Sequence, residues 1–180
     1  MGESDLLDRY ERGSAWVRAM VPKAVGMLDA PTPCSKWDVR TMLNHMIDTQ
    51  RFFLARARGE EGSLPASPPP ALLSDDPVSD FAEVRTAMLS AFGQPGVIEK
   101  TGQALATAFN DLLIHGWDLA TATGQDATMP AGLAEAAYEN LHGRFTEEQR
   151  QGLFQPERPV PADASPQARL LAYTGRDPEQ

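Results

Sequence analysis

The chain has 180 residues, 42% of them hydrophobic and 23% charged, which suits one soluble globular domain (1–180) with its own core. Its 16 basic and 25 acidic residues leave a formal charge of -9, which argues against a nucleic-acid-binding face. No apolar run reaches transmembrane length, and the opening MGESDLLDRY lacks the positive-then-apolar layout of a signal peptide, so a cytoplasmic protein with no membrane partner is expected.

The first segment, about 4–28, carries Leu6, Leu7, Tyr10, Trp16, Val17, Met20, Val25 and Met27 at helical spacing. Pro22 predicts a kink or break near Val21. Ala30-Pro31-Thr32-Pro33-Cys34 is a rigid extended connector. Cys34 is the single cysteine, so an intrachain disulfide is excluded, and a passive loop role is expected for it. A second helix opens between Ser35 and Asp38, by a Ser35–Asp38 capping box or by Asp38 itself. Its inward face is Val39, Met42, Leu43, Met46, Ile47 and Phe53, and Gly59 closes it. Residues 59–77 are rich in Pro, Ser and Ala and read as a long exposed loop. A third helix follows over 78–92, capped by Asp76 or Ser79. A connector over 94–101 leaves Val97 and Ile98 as a short extended piece.

The helix over 104–123 organises the rest. Leu105, Ala108, Leu112, His115, Leu119 and Ala122 recur at spacings of three and four and share a face. Asp111 precedes His115 by one turn on the same side. Pro130 then opens a helix carrying Leu133, Ala136, Ala137, Tyr138 and Leu141. Beyond Gly143 come Pro-rich turns and a last short helix over 167–173, begun by Ser165-Pro166 and closed by Gly175. No stretch alternates as a strand would. The expectation is an all-α antiparallel four-helix bundle with extra short C-terminal helices.

A carboxylate and an imidazole on an apolar stripe need a compensator for their burial. His45 lies beside the core face of the second helix, so antiparallel packing against the 104–123 helix would bring His45, Asp111 and His115 together. A His–Asp–His set with open positions suits a divalent transition metal such as Zn²⁺, Ni²⁺ or Fe²⁺. A structural Asp–His hydrogen bond is the competing reading. Asp118 orients an imidazole or faces solvent, and Asp48 beside His45 carries the same two readings. His142 reads as a helix-end residue and Trp117 as packing. Neither a Gly-x-Ser-x-Gly elbow nor a phosphate-binding Gly-rich loop nor a His-Glu-x-x-His pair is present.

Trp37-Asp38-Val39-Arg40-Thr41-Met42-Leu43-Asn44-His45-Met46 resembles a helix of the DinB-like superfamily. Its nearest branch is that of the mycothiol-dependent maleylpyruvate isomerases. Asp111-Leu112-Leu113-Ile114-His115-Gly116-Trp117-Asp118-Leu119-Ala120 is similar to that branch's acid-x-x-x-His-x-W-D-L-A segment. Residues 169–178 look like the terminus of a subfamily of the same proteins. The resemblance implies a four-helix bundle and one divalent metal held by His45, Asp111 and His115. The family's isomerases have Glu at the middle position, where this chain has the shorter Asp111. They also carry a C-terminal extension at the substrate site, which this chain is expected to lack. The implied activity is metal-dependent transfer or isomerisation of a small electrophile with a low-molecular-weight thiol of the mycothiol type. The alternative is a non-enzymatic metal- or ligand-binding module. Homodimerisation through outer apolar faces stays open.

Overall fold

The computed structural model describes residues 3–34 and 36–180, and among these every regular element is a helix. The chain divides into two compact units, Met1–Ala127 and Thr128–Gln180. The first holds α1 (Glu3–Val25), α2 (Val39–Arg58), α3 (Pro77–Phe92) and α4 (Val97–Ala122). The second holds α5 (Leu133–Leu141), α6 (Glu147–Leu153) and α7 (Pro166–Tyr173). The all-α bundle is present in the first unit. No helix among the described residues is long and apolar enough to cross a membrane.

Helix directions follow from who meets whom. Leu6 approaches Gly102, Trp16 and Val17 approach Gly116, and Lys23 Nζ donates to Gly124 O at 2.9 Å, so α1 and α4 run parallel. Arg85 Nε donates to Ser14 Oγ, while Leu7 approaches Gly93 further along α3, so α1 and α3 are antiparallel. The end of α2 (Ala57, Arg58) shares a cleft with the end of α3 (Ser90, Ala91, Gln94), so those two are parallel. The bundle is therefore up-down-down-up, with α2 antiparallel to α4.

A parallel α2–α3 pair needs a long crossover, and residues 60–76 supply it. This strap runs back along α2. Gly62 lies against Phe52 and Ala55, Ala66 N–H donates to Asp48 Oδ2 at 3.1 Å, and Leu72 and Leu73 N–H both donate to Asn44 Oδ1. The loop expected from composition is thus a strap tied to α2 by side chains next to His45.

Local chemistry sets the helix ends. Asp38 caps α2 by accepting from Thr41 N–H at 2.8 Å, an interaction worth about 1 kcal/mol. A hydrogen bond from the Thr41 side chain, together with that backbone bond, holds the Asp38 carboxyl below its usual range. The expected Ser35 cap falls on a residue outside those described. Gly59 ends α2 at φ 72°, a left-handed conformation that costs glycine little. Asp76, not Ser79, caps α3. Ser165 caps α7, and Gly175 follows it at φ 80°.

Four expectations are corrected. The first helix continues through Pro22 to Val25, because Pro22 falls in the last turn and removes a single late hydrogen bond. Val97 and Ile98 are helical, joined to the body of α4 across non-helical backbone at Thr101. Pro130 sits in a turn closed by Leu133 N–H to Pro130 O, and α5 begins after Gly132. The tail beyond Gly143 is not turns alone but contains α6, opened by a Thr146–Gln149 capping box.

In the second unit α5 packs on α7. Tyr173 donates its hydroxyl to Leu141 O, and the buried Arg150 guanidinium lies 4.1 Å over the Tyr173 ring. His142 caps α5 and stacks on Tyr138. That matches its reading as a helix-end residue.

Candidate metal centre

The inner face of α2 is Met42, Leu43, Met46 and Ile47, and that of α4 is Leu105, Ala108, Phe109, Leu112 and Leu113, all buried. The packing of these apolar faces sets the rotation of both helices. It leaves His45 of α2 and Asp111 and His115 of α4 at one edge of the interface, with 14%, 23% and 12% of their side chains exposed. All three residues offer a donor atom, and the donors lie within 4.8 Å of one another.

The separations bear on both sequence readings. Asp111 Oδ1 lies 3.3 Å from His45 Nε2 and 3.6 Å from His115 Nε2. The His45 contact is a long hydrogen bond beside the usual length of about 2.7–2.9 Å for a charge-assisted pair, and the His115 contact is beyond hydrogen-bonding reach. Bonds of about 2.0–2.2 Å to one tetrahedral ion put neighbouring donors roughly 3.3–3.6 Å apart. The two separations from Asp111 Oδ1 are also those of ligands around a shared cation. His45 Nδ1 is buried without a hydrogen-bond partner among the described residues.

The two imidazoles differ in their support. Asp118 Oδ2 lies 2.9 Å from His115 Nδ1, and its side chain has no exposure. The solvent-facing reading of Asp118 therefore fails. With Nδ1–H donated to this carboxylate, the lone pair of Nε2 is directed towards Asp111. His45 has no comparable carboxylate, since Asp48 accepts from the strap at Ala66. Burial alone would lower the His45 pKa. The Asp111 carboxylate, by charge and hydrogen bond, together with the charge of Asp48, raises it above the ordinary histidine value.

Two neighbours were not singled out by the sequence reading. The Trp37 ring packs 4.5 Å from the His45 ring and 5.5 Å from the His115 ring. It is held there by the 28–32 segment, which pairs with 37–40 through Thr32 N–H to Trp37 O, Val39 N–H to Ala30 O and Arg40 N–H to Leu28 O. Trp37 lies outside α2, so helical periodicity says nothing of it. Thr49 Oγ1 lies 3.4 Å from His45 Nε2, and its four-residue spacing was a legible signal. Trp117 is buried packing, as read.

The family model of the mycothiol maleylpyruvate isomerase N-terminal domain matches residues 9–120, from α1 to the Asp111–Ala120 stretch of α4. The chain belongs to this family. Within this mycothiol maleylpyruvate isomerase N-terminal domain, the match includes Trp37, His45, Thr49, Asp111, His115 and Asp118. Two uncharacterized proteins of Mycobacterium tuberculosis, from strains CDC 1551 / Oshkosh and ATCC 25618 / H37Rv, are similar to it. Each is 30% identical over 167 residues, covering 83% of this chain and 85% of the relative. No solved structure gives a significant match.

Proposed function

We propose that His45, Asp111 and His115 bind one divalent transition metal, and that the loaded protein handles a low-molecular-weight thiol of the mycothiol type. The thiol would be transferred to a small electrophile or would assist its isomerisation. The observation that carries the metal reading is the ligand-like spacing of two imidazole nitrogens about a single Asp111 oxygen, with Asp118 behind one of them. The donor set of two neutral nitrogens and one carboxylate suits Zn²⁺, Ni²⁺ or Fe²⁺. Three protein ligands leave a position for a further ligand, which is the catalytic arrangement. A metal bound there favours thiolate over thiol, and the thiolate is the competent nucleophile. The chain's own residues then have defined tasks. Asp118 holds the His115 ring in one tautomer, Trp37 walls the two imidazoles on one side, and the apolar faces of α2 and α4 restrict water from beneath.

The activity is tested by assaying metal-stripped, Zn²⁺-loaded and Ni²⁺-loaded protein with mycothiol and electrophiles such as maleylpyruvate and a chloroarene. Conjugation or isomerisation that requires the metal is expected. Equal rates with and without metal would remove the enzymatic reading.

The pH dependence of metal binding follows from His45. A raised pKa in the metal-free fold means that the proton on His45 stabilises that fold at low pH. The contribution is fully present below the unfolded pKa and is lost as pH rises through the raised folded value. A ligating imidazole must give that proton up. Zn²⁺ affinity is therefore expected to climb by about tenfold per pH unit below the raised pKa and to flatten above it. Isothermal titration in buffers of different ionisation enthalpy counts the released proton. Constant affinity across pH 5–8 (about the span where His titrates) would exclude His45 as a ligand.

A further inference from the structure

Threonines on a helix commonly donate their hydroxyl to the carbonyl four residues back. Thr86, Thr101, Thr107 and Thr123 all do so, at 2.7–2.9 Å, Thr123 being buried and Thr86 and Thr107 exposed. Thr49 differs. It is 4% exposed, yet its Oγ1 is turned towards the ring nitrogen of His45 instead of the His45 carbonyl. At 3.4 Å that contact is long beside the roughly 2.8 Å of a good hydroxyl hydrogen bond. If Nε2 gives its lone pair to a metal, it can no longer accept from Thr49 at all. The hydroxyl hydrogen would then need another acceptor, next to the donor cluster, since a buried donor left unpaired is costly.

We infer that Thr49 donates its hydroxyl hydrogen bond to the anionic ligand that completes the metal's coordination, a thiolate sulfur from a small thiol. The inference rests on the metal reading above and adds to it a ligand-contacting residue. The thiol binds as thiolate, its proton passes to solvent, and Thr49 keeps its own proton throughout. A neutral alcohol is a poor metal ligand beside imidazole and carboxylate, so Thr49 acts on the incoming anion and contributes little to holding the metal.

The test uses the full chain loaded with Co²⁺, in wild type and in Thr49→Val, Thr49→Ala and Thr49→Ser. Each is titrated with 2-mercaptoethanol, followed by the sulfur-to-cobalt charge-transfer band, and separately with azide. Thr49→Val conserves shape and removes only the donor. It is expected to keep Co²⁺ affinity within about threefold and to weaken thiol binding by about tenfold or more, the size of a lost hydrogen bond to a charged group. Thr49→Ser is expected to restore binding, and Thr49→Ala serves if the Val variant fails to fold by circular dichroism. Unchanged thiol affinity in a folded Val or Ala variant overturns the inference. Loss of Co²⁺ from a folded variant also overturns it, because Thr49 would then be a ligand. Wild type that takes up no Co²⁺ removes the metal reading itself, a failure distinct from the other two.

Discussion

His115→Ala is expected to lower metal affinity on the order of a thousandfold, because it removes one of three protein donors from a small, exacting site. Purified wild type should carry about one Zn²⁺ or Ni²⁺ per chain after loading and desalting, and the variant close to none. Asp111→Asn is the milder companion. It keeps the shape of the side chain but removes the charge that two imidazole nitrogens face at 3.3 and 3.6 Å. Asp118→Asn should be the mildest of the three. It leaves all three ligands in place but loosens the tautomer and orientation of His115, and outer carboxylates of this kind are worth about 10–100-fold in metal affinity. The graded order is the discriminating feature. Elemental analysis reads stoichiometry, and competition with a chromogenic chelator reads affinity. Thermal unfolding supplies an independent measure. Metal at a hundred times its dissociation constant adds about 2.7 kcal/mol, or roughly 5–10 °C in Tm, to wild type and nothing to His115→Ala. If wild type and His115→Ala hold equal metal, the Asp111–His115 contact is structural and the proposed chemistry fails.

Gly116→Ala should cost about 2 kcal/mol, although alanine is ordinarily the better helix former by about 1 kcal/mol. Gly116 sits between His115 and Trp117 on α4, where α1 crosses closely. A Cβ placed there would lie 2.6 Å from Val17 Cγ2 and 2.7 Å from Trp16 Cζ3. Val17 is fully buried, and its branched side chain has a single favoured rotamer in a helix, so it has nowhere to yield. The two helices must separate, and α4 carries two of the three proposed ligands. Gly102→Ala on the same helix is the control. Its Cβ would meet Ile98 Cγ2 at 3.4 Å and Leu6 Cδ2 at 3.8 Å, which is ordinary contact. That substitution is expected to be neutral or to stabilise by up to about 1 kcal/mol. Chemical denaturation of the pair should therefore show destabilisation by Gly116→Ala and none by Gly102→Ala. Equal effects would mean that α1 and α4 are not in close contact at Gly116.

What the sequence determined by itself is short-range. Asp38 and Gly59 bound α2, Asp76 starts α3, and Ser165 starts α7, because a cap or a left-handed residue acts within one turn. The Asp111–His115 pairing was legible for the same reason, since a spacing of four residues is one turn wherever the helix lies. Val97 and Ile98 are helical rather than extended because α4 continues beyond the irregular backbone at Thr101, a continuation that the flanking residues alone do not reveal. Tertiary structure decided the rest. The up-down-down-up order depends on the strap that Asn44 and Asp48 tie down along α2, and loop composition carries no direction. Trp37 reaches the imidazoles only through its pairing with the 28–32 segment. His45 meets Asp111 across 66 residues of chain because the apolar faces of α2 and α4 rotate both helices together as they bury. Local periodicity shows which side of a helix is apolar, but only packing selects the helix that side will face.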